Sequence, residues 1–157
     1  MHKAHCDGLP PLAYLPSDVN AVAEMNGFFW SDRRRNLVEG WFPQMDQLEE
    51  LMEHYPDAYY ILNVRDVRMW IKSVDAHNDM RSRLTWGSFP NLDRGKGQVD
   101  EELVPWFEQH HRRVKELAQS RGCKLLIFDI AEHSELELSA FLGSRVAWNK
   151  HNETHKC

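Results

Sequence analysis

Long apolar runs are missing from this sequence. None of its 157 residues begins a stretch approaching the roughly 20 apolar residues of a membrane span, and Met1-His-Lys-Ala-His-Cys6 lacks the apolar centre of a secretory leader. A soluble, cytoplasmic chain with no membrane contact is therefore expected. Cysteine is scarce as well. Cys6, Cys123 and Cys157 are odd in number and far apart, which excludes a disulfide framework and fits free thiols in a reducing compartment. Positive charge is not in surplus: 19 basic residues stand against 24 acidic ones, a net −5, so there is no general drive towards nucleic acid. A nucleotide-binding G-x-x-x-x-G-K-[ST] loop is absent too, since Arg94-Gly95-Lys96-Gly97 has the wrong spacing and no strand before it. Nine histidines include no close zinc-finger pair. His2, His5, Cys6, His151, His155 and Cys157 would form a zinc site only if the termini met, and frayed polar termini are the simpler reading. His110 and His111, adjacent on a helix, cannot present both rings to one face.

What is present is the composition of a folded domain. Hydrophobic residues make up 42% of the chain, with six Trp and seven Phe, and the length suits one core: a single domain over 1–157 with irregular ends at 1–16 and 144–157. The stretch from Asp57 to Ser73 organises it. Tyr59 to Val64 is a β-branched and aromatic run, as in a buried parallel strand. Val67, Trp70, Ile71 and Val74 then fall at helical spacing, with Asp66 at the position of an N-cap. Arg65 is thereby placed at the carboxyl end of a strand, the edge at which open α/β sheets bind ligands. Ser73 follows two helical turns beyond the cap. An Arg that forks onto an anion and a hydroxyl that adds one bond would make a phosphate clamp. From spacing alone, an ion-paired Arg and an ordinary helix Ser is the simpler reading.

Elsewhere, Ser17 would cap a short helix through Met25, and Phe28 to Arg35 reads as a solvated surface turn. Met45 to Tyr55 is an amphipathic helix. Residues 78–98, dense in Asn, Asp, Gly and Pro, read as a long flexible loop closing over substrate. Glu101 to Arg121 is the longest helix, with Pro105 in its first turn and Gly122 as the stop. Lys124 to Ile130 is a second buried strand, giving a βαβ unit. Cys123 beside it is a small core residue.

Ile61-Leu62-Asn63-Val64-Arg65-Asp66, followed by Trp70 and Ser73, resembles the 3′-phosphate-binding segment of sulfotransferases. Lys124 to Ile130, then Glu135 to Leu142 and Gly143, resembles a later strand and helix of the same family, so the likeness runs in order over roughly residues 40–152. The resemblance implies that Arg65 and Ser73 hold the 3′-phosphate of the sulfuryl donor 3′-phosphoadenosine 5′-phosphosulfate, and that Phe128 packs the adenosine. It implies an α/β fold with a P-loop-type, doubly wound parallel sheet and flanking helices. The family's Pro-Lys-[Ser/Thr]-Gly-Thr-Thr loop has no match in residues 1–56, so the first strand and its phosphate loop are expected to be missing. The catalytic base stays unassigned among Glu39, Asp46 and His54. Lys72 or Arg68 would partly replace the missing positive charge, or would simply be solvated. His151-Asn152 follows the Phe-Leu-Gly helix as similar residues do in some members.

The implied activity is transfer of a sulfuryl group to a hydroxyl on a small-molecule or carbohydrate acceptor. The alternative is a noncatalytic remnant serving as a nucleotide-binding or protein-interaction module, and a third possibility is metal binding by the terminal His and Cys. An uncovered sheet edge is expected to draw a second copy or another partner.

Overall fold

The computed structural model describes residues 2–23, 27–32 and 37–147. A short helix α1 (His2–Cys6), with Ala4 buried, opens it, followed by turns in which Pro11 is buried. The expected helix from Ser17 does not form over 17–23, and 24–26 lie outside the described residues. Val19 and Val22, which would form its apolar side, are exposed, and a short helix with no buried face lacks the packing that sustains one.

Strands β1 (Gly27–Asp32) and β2 (Leu37–Trp41) pair antiparallel. The surface turn expected at Phe28 is therefore a strand over 27–32, while Arg33 to Arg35 lie outside the described residues. Where one amphipathic helix is expected from Met45, two follow: α2 (Pro43–Asp46) and α3 (Leu48–His54), parted at Gln47. Both starts of the organising stretch hold, with β3 at Tyr59–Val64 and α4 at Val67–Ala76.

The largest correction concerns 78–98. Instead of a flexible loop, this segment contains helix α5 (Met80–Trp86) and strand β4 (Gly87–Ser88), which pairs parallel with β2. Leu84, Phe89 and Leu92 join Ile71, Val74 and Leu103 in one buried cluster. Backbone and side-chain bonds fasten the rest: Gly95 N–H donates to Thr85 O at 2.7 Å, Gly97 N–H to Glu102 Oε2 at 2.7 Å, and Trp106 Nε1 to Pro90 O at 2.8 Å. The polar composition is real, but three apolar side chains with distant partners hold the segment down.

Helix α6 (Asp100–Arg121) is the spine. Its 22 residues span about 33 Å, with Leu103 fully buried in the first cluster and Val114 and Ala118 in a second, beside Leu48, Met52 and Leu62. Gly122 ends it in the left-handed region at φ 67°, a conformation that costs glycine little. Pro105 is the sixth helical residue, so it lies in the second turn rather than the first. The carbonyl of exposed Glu101 thus loses its usual helical donor.

Strand β5 (Lys124–Asp129) runs parallel to β3 in register from Tyr59↔Lys124 to Val64↔Asp129, and α7 (Glu135–Leu142) follows. The architecture is α/β. Its described strands form two sheets, ordered β1-β2-β4 and β3-β5. One face of β3-β5 packs on the second cluster, and the Tyr60 hydroxyl donates to Leu51 O at 2.9 Å and Tyr55 O at 3.0 Å, tying β3 to α3. On the opposite face Tyr59 meets Phe141 of α7 edge-on at 5.2 Å. Tyr59 and Ile61 keep 48% and 41% of their surface in solvent, so α7 covers this face only in part. Among the described residues no helix is long and apolar enough to cross a membrane.

Candidate functional site

The turn from β3 to α4 is built by Asp66. Its carboxylate accepts from Met69 N–H at 3.0 Å, and its carbonyl accepts from Trp70 N–H at 2.9 Å, which starts the helix immediately after the strand. The Arg65 side chain is half-buried, and the Nε–H is buried with no hydrogen-bond partner among the described residues. A desolvated donor left unpaired is unfavourable by about 1–3 kcal/mol, more for a charged group. An anion at this edge would remove that penalty.

Ser73 lies two turns along α4, half-buried between Ile71 and Val74, which point into the core. Its carbonyl accepts from His77 N–H at 3.0 Å, and its hydroxyl makes no hydrogen bond among the described residues. Arg68 and Lys72 are exposed on the same helix. Phe128 is on the neighbouring strand, level with Asn63, about 7 Å short of Arg65 along the strand direction. It is only 2% exposed. Arg65 and Phe128 thus come to adjacent strands near one edge, but Phe128 is in the interior.

Sequence reading passed over His133, in the turn after β5. Asp129 N–H donates to His133 Nδ1 at 3.0 Å, His133 N–H donates to Asp129 O at 2.8 Å, and Asp129 Oδ1 accepts from Ala131 N–H at 2.8 Å. Next comes a capping box in which Ser134 accepts from Leu136 N–H, while Glu137 accepts from Ser134 N–H at 2.8 Å and Ser134 Oγ–H at 2.7 Å. Those bonds from Ser134 hold the Glu137 carboxyl down at about 2. The available signal was Ser134-x-x-Glu137 itself, which fixes the helix start and so places His133 at the strand's carboxyl end.

Two of the three candidate bases do come together. A cleft of about 360 Å³ is lined by Glu39, Gly40, Trp41, Asp46, Ser88, Phe89 and Pro90. Burial raises the Asp46 carboxyl above its ordinary value, with the Phe42 N–H bond at 2.7 Å opposing. His54 is apart from it, exposed at the end of α3 with its ring 6.4 Å from that of Tyr55. Of the other cations, Arg81 is held by Asp75, Asp100 and Gln98 O, and Lys96 by Glu102. Among the described residues no group of three or more His, Cys, Asp or Glu is arranged to hold a metal. His151, Asn152, His155 and Cys157 lie outside those residues.

On α6, the His110 and His111 ring centroids are 6.1 Å apart, and His111 packs on Phe107 at 4.0 Å. Burial, reinforced by His111 and Arg113, pushes the His110 imidazole down to about 4. The unfolded chain therefore takes up this proton near pH 6.5, before the folded chain does. Stability contributed by neutral His110 is complete above pH 6.5 and declines as pH falls towards 4, by up to about 3 kcal/mol. Urea unfolding at pH 7 and pH 4.5 should show this loss in the wild type and a shallower one in His110→Gln.

Residues 41–94 match the model of the sulfotransferase domain family. That segment, about a third of the chain, runs from Trp41 through Arg65 and Ser73 to Arg94, so the likeness to sulfotransferases is shown where the β3–α4 turn lies. No curated protein and no solved structure matches the chain.

Proposed function

We propose, from a chain that carries a sulfotransferase-family segment over residues 41–94, that the carboxyl edge of β3 binds the 3′-phosphate of 3′-phosphoadenosine 5′-phosphosulfate and that the protein serves sulfuryl transfer to a hydroxyl acceptor. The observation that carries this reading is the buried, unpartnered Nε–H of Arg65 at the end of a parallel strand. The fit is chemical: a fixed guanidinium supplies parallel donors of the kind phosphate oxygens accept, and Ser73 adds a hydroxyl with no competing bond. When bound, the nucleotide supplies the sulfuryl group. In this reading Glu39 or Asp46, which share one cleft, would take an acceptor's hydroxyl proton, and the raised Asp46 suits that work better than a fully solvated acid would. The doubly wound, P-loop-type sheet belongs to the same reading.

Calorimetric titration with 3′-phosphoadenosine 5′-phosphate tests it. A single saturable site is expected, weakened at least about tenfold by Ser73→Ala, as for one lost hydrogen bond to a charged group. Absence of binding by folded protein would sink the reading. Nucleotide binding without sulfuryl transfer to any sugar or phenol would favour the noncatalytic nucleotide-binding module instead.

A further inference from the structure

We infer that the free edge of β3 pairs with the same edge of a second copy of this chain, antiparallel about a two-fold axis at Ile61, so that two β3-β5 sheets join into one of four strands. The inference does not rest on the function proposed above. Ile130 N–H donates to Val64 O at 3.1 Å, and Val64 stands level with Asp129. The backbone groups of Tyr60, Leu62 and Val64 therefore face β5, and by the alternation along a strand those of Tyr59, Ile61 and Asn63 face away from it. These outward groups make no hydrogen bond among the described residues. The same three residues are the exposed ones, alternating with buried or half-buried neighbours. Nothing guards the edge either: Tyr-Tyr-Ile-Leu-Asn-Val contains no charge, proline or glycine, and its register with β5 is unbroken, whereas edges that must stay unpaired ordinarily carry such devices.

Self-complementarity selects the second copy as the occupant. In an antiparallel pair, opposed residues share a face, and only positions 59, 61 and 63 of β3 offer outward backbone groups. Centring the axis on Ile61 uses all three. Ile61 then meets Ile61 of the second copy and Tyr59 meets its Asn63, each pair exchanging two N–H···O bonds. Continued by two residues at each end, the same register sets exposed Asp57 opposite half-buried Arg65, so opposite charges meet at both ends of the seam. A shift of two residues either way loses both charge pairs and one of the three outward pairs. Such exposed ion pairs add little stability; they fix the register, while the ladder and the covered Ile61 and Tyr59 side chains hold the copies together. A guanidinium has five N–H donors, so the buried Arg65 Nε–H stays available to an anion.

Sedimentation equilibrium of the full chain tests this. The wild type is expected to be dimeric at tens of micromolar. Ile61→Lys sets two ammonium groups face to face at the axis and should raise the dimer dissociation constant at least about a hundredfold. Its circular dichroism should match the wild type, since Ile61 is already exposed in the single chain. Oxidative crosslinking reads the register. Ile61→Cys should link copy to copy, because directly opposed Cα atoms stand about 5.5 Å apart. Asn63→Cys should not, because the two Asn63 positions lie about 13 Å apart along the seam. Both variants keep the native Cys6, Cys123 and Cys157, so the linked peptide containing position 61 is identified by mass. A wild type that stays monomeric at that concentration, or a dimer that folded Ile61→Lys leaves intact, overturns the inference. Crosslinking through Asn63→Cys in place of Ile61→Cys overturns it as well.

Discussion

Arg65→Ala is expected to weaken binding of 3′-phosphoadenosine 5′-phosphate about a hundredfold while leaving the melting temperature unchanged or slightly raised. The two halves have one cause. In the free protein the Arg65 Nε–H is buried without a partner, so its removal takes away an unfavourable desolvation as well as packing by the aliphatic stem. In the complex the same group would form charge-assisted bonds to phosphate, each contributing about 1.5–3 kcal/mol. Two such bonds readily supply a factor of a hundred, since about 1.4 kcal/mol corresponds to tenfold. Lysine should recover little affinity because a single ammonium cannot reproduce the planar fork. Titration calorimetry together with thermal unfolding checks this. A large drop in melting temperature with unchanged affinity would make Arg65 a structural residue.

Gly40→Ala is expected to lower stability by about 3 kcal/mol through one added methyl group. Phe89 is buried with its ring held between Gly40 of β2 and Gly87 of β4. A Cβ on Gly40 would come within 2.0 Å of Phe89 Cε1, and one on Gly87 within 2.6 Å of Cε2. The ring therefore cannot retreat from one glycine without approaching the other. Phe42, edge-on at 5.2 Å, and Trp106, at 6.2 Å, further confine it. Overpacking in a closed core usually destabilises by about 1–3 kcal/mol, and the upper end is expected because both sides are closed. Phe89→Ala should cost about 3–5 kcal/mol through the cavity it leaves. Urea unfolding of the double variant supplies the check: with the ring gone, Gly40→Ala should have almost no further effect. Simple addition of the two losses would mean that the ring is not what Gly40 accommodates.

The β3–turn–α4 unit was legible because its chemistry is local: the apolar period changes across Arg65-Asp66, and Asp66 caps the helix it begins. Helix α6 was legible for a similar reason, ending at a glycine in the left-handed conformation, whereas α7 was expected only from the resemblance. Residues 78–98 were not. Their order comes from Leu84, Phe89 and Leu92 packing on Ile71, Val74 and Leu103, contacts remote in sequence that no reading of Gly and Pro content could supply. Strand β1 was hidden beside three arginines for the same reason, its pairing with β2 being tertiary information. At the site, position was readable and burial was not. Arg65 could be put at the strand end, but its orphaned Nε–H, the full enclosure of Phe128 and the return of His133 onto Asp129 depend on how the strands are covered.

Ser88, Phe89 and Pro90, which line the cleft that Glu39 and Asp46 share, belong to the packed segment formed by α5 and β4. The cleft consequently has a fixed wall where a closing lid was expected. A molecule that bound there would meet a wall already in its final shape, so selection would be by fit rather than by capture.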